Sequence, residues 1–363
     1  MATTYLTLVN NVLNELNEPE LTSSTFSSSR GIQTSVKKFV LKAMHEVYNS
    51  LSEVPDLYLS TTQDTYAGQR TYDLPSSASP QSTDKAYRKI DWDTFRLVPK
   101  ELVTNGEFTS NITGWTTGDG TPSHSTSGNG RLNLNDAAAY QSISTVKNKT
   151  YRLQVRVMSP SSSTSTVAIK VGTTASGGEY LSTTQSVTNI GDGATLDTTF
   201  DATAQTSYIY FETASGVQLD IDYVRISENI GIKKLKYITY DDWQNRYLET
   251  DLSNTSSSQG TPDYVYHTQD KKFGLSPVPN QDTYTIQYEY WQVHTDLSAH
   301  GDTMDLDDRF KDVIITKAKY YAYVLRSDPQ AAAMSVKEYD NQLQALRSEY
   351  INTKTYMRDT RVN

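Results

Sequence analysis

Apolar residues recur every three or four positions at both ends of the chain, which is the spacing of an amphipathic helix. Near the N-terminus this pattern predicts helices over residues 4–17 and 31–51. Near the C-terminus it predicts one helix capped by Asp305 and a second that begins at Pro329, with Asp328 as its cap. Because the backs of these helices are polar, we expect the two helix pairs to pack on each other.

Apolar and polar residues alternate in the stretches next to these helices, as is typical of half-buried strands. Residues 58–61 and 71–75 lie on either side of a turn at Gly68 and predict a β-hairpin. Further strand segments follow as far as Val98. Near the other end of the chain, the alternation of tyrosine with polar residues predicts a strand over 284–290.

Residues 101–228 differ in composition from the rest, being dense in Ser, Thr and Gly with no convincing helix pattern. Short strand patterns recur between turn signals, which indicates an all-β sandwich. Since the helix and strand patterns resume after it, we expect the block to be a domain inserted into a surrounding domain formed by 1–100 and 229–363. The predicted strands lie at 151–158, 166–171, 179–183, 194–200, 207–212 and 219–226.

The C-terminal quarter contains short motifs in a fixed order before its two helices. They are Gly260-x-Pro262-x-Tyr264, then Phe273-x-Leu275-x-Pro277-x-Pro279, then the strand that begins Tyr284-Thr285-Ile286-x-Tyr288. In this order they resemble the head-to-tail adaptor proteins of tailed bacteriophages, including the tail tubular protein A type. The resemblance implies a structural, non-catalytic virion protein of the neck, assembled in the cytoplasm of the host bacterium. It also implies a ring of twelve copies, whose lumen passes DNA without specific binding.

The partners that this resemblance implies are further copies of the chain, the portal protein and a tail nozzle or tail tube protein, with tail fibres as a possible neighbour. The last helix carries a narrow apolar stripe of the kind that packs along another helix. The stripe and the basic end beyond it are the expected contacts with the portal or a neighbouring subunit. These residues are Tyr339, Leu343, Leu346, Tyr350, Lys354, Tyr356, Arg358 and Arg361.

The two ends of the Ser/Thr-rich block resemble the first and last strands of jelly-roll carbohydrate-binding modules. The first is Leu102–Phe108, followed by Gly114-Trp115, and the last is Leu219–Ile226. The predicted fold class is therefore α+β. A helical host domain, made of the N-terminal and C-terminal helix pairs, carries a small β region and an inserted all-β jelly roll.

This second resemblance implies two possible sites in the sandwich. Modules of this type often hold a structural calcium ion between the first and last strands, and Glu107 and Asp222 are the carboxylates in that position. Sugar binding requires exposed aromatic rings, for which Tyr140 and Tyr180 are the candidates, whereas Trp115 is expected in the core. The alternatives are ordinary surface carboxylates and a sandwich that binds no sugar.

Composition narrows the possible functions. The net charge of -9 argues against a broadly basic, phosphate-binding surface and suits a channel that does not grip DNA. The chain has 26 Tyr and only 8 Phe, which suits surfaces buried on assembly, although Tyr can also simply replace Phe in strands. The lack of cysteine excludes disulfides, thiolate metal sites and cysteine nucleophiles. No apolar run reaches the length of a membrane span, so no membrane partner is expected.

Candidate chemistry is sparse. The chain has no phosphate-binding Gly-Lys-Ser/Thr loop, nucleophile elbow or dinucleotide fingerprint. His294 and His300 share a loop with Asp296 and Asp302, but their spacing matches no standard zinc motif and predicts a solvated loop. Apart from possible calcium in the sandwich, the sequence predicts no cofactor, and it predicts no enzymatic activity.

Two functions of other classes remain open at this stage. In the first, the protein is a virion decoration or tail protein whose sandwich binds host polysaccharide. In the second, the sandwich is the binding module of a polysaccharide-degrading enzyme, which would require a pair of carboxylates about 5 to 9 Å apart in a cleft. The sequence offers no such pair.

Overall fold

The computed structural model describes residues 3–51, 53–76, 86–160 and 164–355, with side chains as far as Glu349. Of the predicted contact residues, Tyr356, Arg358 and Arg361 lie outside the described residues. The chain divides into two compact units, the first comprising Met1–Thr61, Asp73–Trp92 and Tyr288–Asn363. The second comprises Thr62–Tyr72 and Asp93–Gln287. The boundaries predicted from composition, at residues 101 and 228, differ from this division and stay a prediction.

The described chain contains six α-helices and eighteen strands. The helices are α1 (Tyr5–Glu15), α2 (Ile32–Ser50), α3 (Tyr240–Arg246), α4 (Leu248–Ser253), α5 (Lys311–Leu325) and α6 (Pro329–Thr355). The strands before the sandwich are β1 (Tyr58–Asp64), β2 (Thr71–Asp73) and β3 (Tyr87–Pro99). Those of the sandwich are β4 (Thr116–Asp119), β5 (Ser123–Ser125), β6 (Arg131–Asn135), β7 (Ala138–Ser144), β8 (Lys149–Met158), β9 (Ser165–Gly172), β10 (Leu181–Val187), β11 (Gly193–Ala202), β12 (Thr206–Thr213) and β13 (Gln218–Glu228). Those after it are β14 (Lys233–Lys234), β15 (Lys236–Tyr237), β16 (Tyr264–His267), β17 (Lys272–Ser276) and β18 (Tyr284–Gln292).

The first unit is built around α5, which packs against α1, α2 and α6. Residues from all four helices form one hydrophobic core. The apolar stripe of α6 lies in this core, where Tyr339, Leu343 and Leu346 are 6%, 7% and 0% exposed. These three side chains, predicted as portal or subunit contacts, are thus covered within one chain. No helix among the described residues has the length and apolar character to cross a membrane.

The second unit contains the predicted all-β sandwich, which the structure confirms. Its two five-stranded sheets have the orders β10-β9-β12-β7-β4 and β11-β8-β13-β6-β5, and their inner faces enclose a separate hydrophobic core. The six strands predicted between residues 151 and 226 are present as β8 to β13, and β4 to β7 are additional. The segment Leu102–Phe108, predicted as the first strand, is irregular instead. It lies beside β13, where the Leu102 N–H donates to the Ile226 carbonyl.

The remaining strands form two four-stranded sheets, with the orders β1-β18-β3-β14 and β15-β16-β17-β2. The predicted hairpin of residues 58–61 and 71–75 is therefore wrong, because β1 and β2 belong to different sheets. The predicted cap at Asp305 is also wrong. The Asp307 side chain caps the short 3-10 turn before α5, whereas Asp305 accepts a hydrogen bond from the Thr295 N–H at 2.6 Å. Asp328 does cap α6, by accepting from the Ala331 N–H.

The covered stripe of α6 leads to a stability prediction. Leu346→Ala removes a side chain with no solvent exposure and should lower the free energy of unfolding of the helical unit by about 2–5 kcal/mol. Met334→Ala on the same helix is the matched control, since Met334 is 70% exposed and its loss should cost less than about 0.5 kcal/mol. Urea denaturation followed by helical circular dichroism measures both. Equal effects of the two substitutions would contradict the packing described here.

Candidate functional site

Three tyrosines lie together on the outer face of one sandwich sheet. On β12, Tyr208 and Tyr210 alternate with Ile209 and Phe211, which lie in the core, so the tyrosines point outward. Tyr140 on β7 is the direct cross-strand partner of Tyr210. Its ring centroid lies 6.2 Å from that of Tyr208. We call Tyr140, Tyr208 and Tyr210 the tyrosine face.

Charged groups border the tyrosine face. The Lys170 ammonium group on β9 lies 5.2 Å from the Tyr210 ring centroid and 3.3 Å from a Glu212 carboxylate oxygen. Burial and the nearby Glu212 carboxylate raise the pKa of Tyr210, which keeps its hydroxyl protonated. Tyr210 itself is buried, at 7% exposure, while Tyr140 and Tyr208 are partly exposed. Partly exposed aromatic rings near a charged donor and a charged acceptor can contact both the apolar faces and the hydroxyl groups of a sugar.

The two predicted sugar-binding tyrosines therefore differ in their surroundings. Tyr140 lies on the tyrosine face, whereas the Tyr180 ring stacks on Phe200, with centroids 6.1 Å apart and planes at 5°. The Tyr180 ring is thus used in packing against the sandwich core. The sequence analysis missed Tyr208 and Tyr210, although their strict alternation with core residues was a usable signal. Sugar binding by Tyr140 and by Tyr180 stays a prediction.

The carboxylates predicted for calcium are engaged with arginines. Glu107 lies in a turn, not at the end of a strand, and accepts a hydrogen bond from Arg225 at 2.8 Å. Asp222 lies at a β-bulge in β13 and pairs with Arg131 at 3.2 Å and with Arg156 at 3.7 Å. A calcium ion at either carboxylate would have to compete with these guanidinium groups. Calcium binding stays a prediction.

The last residue of the sandwich, Glu228, forms a buried junction with the turn before β18. Its side chain is 2% exposed. One carboxylate oxygen accepts hydrogen bonds from Thr283 Oγ1 at 2.6 Å and from Gln281 Nε2 at 2.9 Å. The other oxygen lies 2.9 Å from Lys149 Nζ. Because a buried carboxylate is costly unless its oxygens are bonded, this arrangement specifies the geometry of the turn and the strand end.

The chain enters the sandwich at the same turn. The Lys100 N–H donates to the Thr283 carbonyl at 2.8 Å, and the Lys100 ammonium group pairs with Asp64 at 2.7 Å. A polar cleft of about 920 Å³ opens here, and Lys100, Lys149 and Gln281 contribute to its lining. Entry strand, exit strand and turn therefore form one hydrogen-bonded junction.

Three of the exposed large apolar side chains lie close in sequence to the turn between α5 and α6. Val324 and Leu325 at the end of α5 are 52% and 53% exposed, and Met334 on α6 is 70% exposed. We call these three residues the corner patch. Exposed large apolar side chains are the residue type that protein-binding surfaces present.

The carboxyl-terminal half of the chain matches a family profile described as SU10 adaptor protein, over residues 177–362. That match covers just over half of the 363 residues. The chain belongs to the SU10 adaptor family. The resemblance to phage head-to-tail adaptors noted in the sequence is thereby confirmed at the family level. Membership of this family makes the adaptor a phage structural protein that is located in the virion and assembles with other virion proteins.

A second profile, described as carbohydrate binding domain, matches residues 100–218 of the adaptor and overlaps the first match at 177–218. Both matched kinds of domain are structural or binding kinds, not catalytic ones. The adaptor matches no curated protein.

Several solved structures are similar to about a third of the adaptor. One titled "CBM4 structure and function" is 15% identical, with 35% of this chain and 99% of that chain covered and a TM-score of 0.28. The CBM22-1 xylan-binding domain from Paenibacillus barcinonensis Xyn10C is 14% identical, with coverages of 37% and 97% and a TM-score of 0.31. The enzymatically active domain of bacteriophage CBA120 tailspike protein 4 is 18% identical, with coverages of 35% and 21% and a TM-score of 0.28.

The junction leads to a second stability prediction. Glu228→Ala leaves the buried Thr283 and Gln281 without their acceptor and should lower the free energy of unfolding by about 1–3 kcal/mol. Glu107→Ala is the control, because it removes an exposed carboxylate from an ion pair with Arg225 and should cost less than about 1 kcal/mol. Thermal and chemical denaturation measure both. A Glu228→Ala protein as stable as the control would show that the junction contributes little.

Proposed function

We propose that this adaptor forms a closed ring at the phage neck, between the portal and the tail, through which DNA passes. The observation that carries the proposal is the family match across 177–362, a span that includes β16 to β18, α5 and α6. A closed ring uses two different faces of each subunit, so each copy must present surface that is buried only on assembly. The corner patch has the apolar character that such a surface requires.

The proposed contacts combine the corner patch with the end of α6. Tyr339, Leu343 and Leu346 pack inside the chain, which leaves Tyr350, Lys354, Tyr356, Arg358 and Arg361 as the proposed contacts with the portal or a neighbouring subunit. Arg309 pairs with Glu349 at 3.0 Å and attaches α6 next to the start of α5. Twelve copies, the number that the family resemblance implied, is our proposal for the ring.

We also propose that the sandwich lies on the outside of this ring. The channel must accommodate duplex DNA, and a domain of this length is about 28 Å across by compactness scaling. A dozen such domains cannot share the channel with the duplex. On the periphery the sandwich would be accessible to tail fibres or to glycans of the host surface.

The ring proposal predicts the effect of charging the corner patch. The double substitution Val324→Asp and Leu325→Asp should leave the fold intact, since both side chains are half exposed, and should prevent ring assembly on the portal. Ile190→Asp is the control, because Ile190 is 69% exposed but lies in the sandwich. Cryo-electron microscopy of the adaptor mixed with the portal protein of its phage measures assembly. A stable dimer that never engages the portal would overturn the proposal.

A second candidate function, glycan binding by the sandwich, is supported by the carbohydrate binding domain match and by the tyrosine face. Tyr208→Ala and Tyr140→Ala should each weaken the binding of a polysaccharide by about 3- to 10-fold, because each removes one aromatic contact. Tyr223→Ala is the control, since Tyr223 is a partly buried tyrosine on the outer face of the opposite sheet. Glycan arrays identify the ligand and calorimetry measures the affinity. An equal loss with Tyr223→Ala would argue against the tyrosine face.

A further inference from the structure

Two histidines and an aspartate that are far apart in sequence meet in the helical unit. His45 lies on α2, while His294 and Asp296 lie just after β18. The Asp296 carboxylate oxygen is 2.8 Å from His45 Nε2, a residue 251 positions away, and 3.5 Å from His294 Nε2. Among the residues that the structure describes, this is the one group of three metal-ligating side chains whose ligand atoms all lie within 4.8 Å.

The separations suit a metal ion. Ligand atoms around a tetrahedral zinc ion, each about 2.0–2.1 Å from the metal, are about 3.3 Å apart. The distance between His294 Nε2 and the Asp296 oxygen is already close to this value at 3.5 Å. The pair formed by His45 and Asp296 has to open by only a few tenths of an ångström to admit the ion.

The surroundings hold the ligands in place, as is usual in metal sites. The His294 ring stacks on Tyr48 with centroids 4.5 Å apart and planes at 4°, and it meets the His45 ring edge at 5.0 Å. The backbone between the ligands is fixed by Asp305, which accepts from the Thr295 N–H.

We propose that His45, His294 and Asp296 bind one divalent transition-metal ion of the zinc class. Two imidazoles and a carboxylate favour Zn²⁺, Co²⁺ or Ni²⁺ over calcium and magnesium, which prefer all-oxygen sites. The side chains of Asp296 and His45 are 69% and 44% exposed, so the remaining coordination positions face solvent and take water. The ion joins α2 to the segment that links β18 to α5, two parts of the chain that are far apart in sequence.

The test uses the full chain, freed of metal with a chelator and then titrated with Zn²⁺. We expect one ion per chain by calorimetry, confirmed by mass spectrometry of the metal content after dialysis. His45→Ala and Asp296→Asn should each weaken the affinity at least about tenfold. Both side chains are substantially exposed, so these substitutions should leave the fold intact. Co²⁺ serves as a second probe, because its visible absorption changes when nitrogen ligands replace water.

The matched control is His267→Ala, which removes an exposed histidine of β16 and should leave the affinity unchanged. Calcium added in excess should not compete with Zn²⁺. Failure of the wild-type chain to bind Zn²⁺, or an equal loss of affinity in the control, would overturn the proposal. In that case His45 and Asp296 form only a hydrogen-bonded pair. Ring assembly on the portal is measured separately, so failure of the metal site leaves the adaptor function untouched.

Discussion

Both ends of the sandwich are attached to one turn of backbone, residues 280–283. The entering chain bonds the Thr283 carbonyl through the Lys100 N–H, and the leaving chain inserts the Glu228 carboxylate between Thr283 and Gln281. A buried carboxylate tolerates few geometries, because the loss of any hydrogen-bond partner leaves the desolvation of the carboxylate uncompensated. The junction therefore constrains where the chain leaves β3 and where it returns.

The two outer faces of the sandwich differ in chemistry although the sheets are built alike. One face presents tyrosines beside a single lysine–glutamate pair. The other face carries several arginine–carboxylate pairs. In one of them, the hydrogen bond from Arg152 lowers the pKa of Asp197 to about 2. Satisfied ion pairs on an exposed surface contribute little energy but leave few groups free for a ligand. The tyrosine face is accordingly the better candidate for binding a ligand. The face with the arginine–carboxylate pairs suits contact with solvent.

Sequence patterns predicted the elements that depend on local periodicity. The stripes of α1 and α2 and the long strands of the sandwich were all found, because burial of one face imposes a period that a single sequence shows. Which strands pair in a sheet is decided by contacts between residues that are distant in sequence, and local periodicity does not show these contacts. For this reason β1 and β2 were wrongly predicted to form a hairpin. The short strands β4 and β5 lie among Gly, Ser and Thr residues that give no strand signal. The alternation of Leu132 and Leu134 with polar residues in β6 was a strand signal that the sequence analysis missed. His45 could not be connected with His294 and Asp296, because the fold alone brings them together.

The packing of α5 against helices from the start of the chain has a consequence for synthesis on the ribosome. The apolar faces of α1 and α2 are completed only when α5 is available, and about 260 residues separate Ser50 from Lys311. At ordinary translation rates that interval lasts roughly 13 to 52 seconds. The sandwich, whose strands all precede α5, can fold within it. The earliest helices to emerge are thus among the last to be buried, and during that delay they are natural substrates for chaperones.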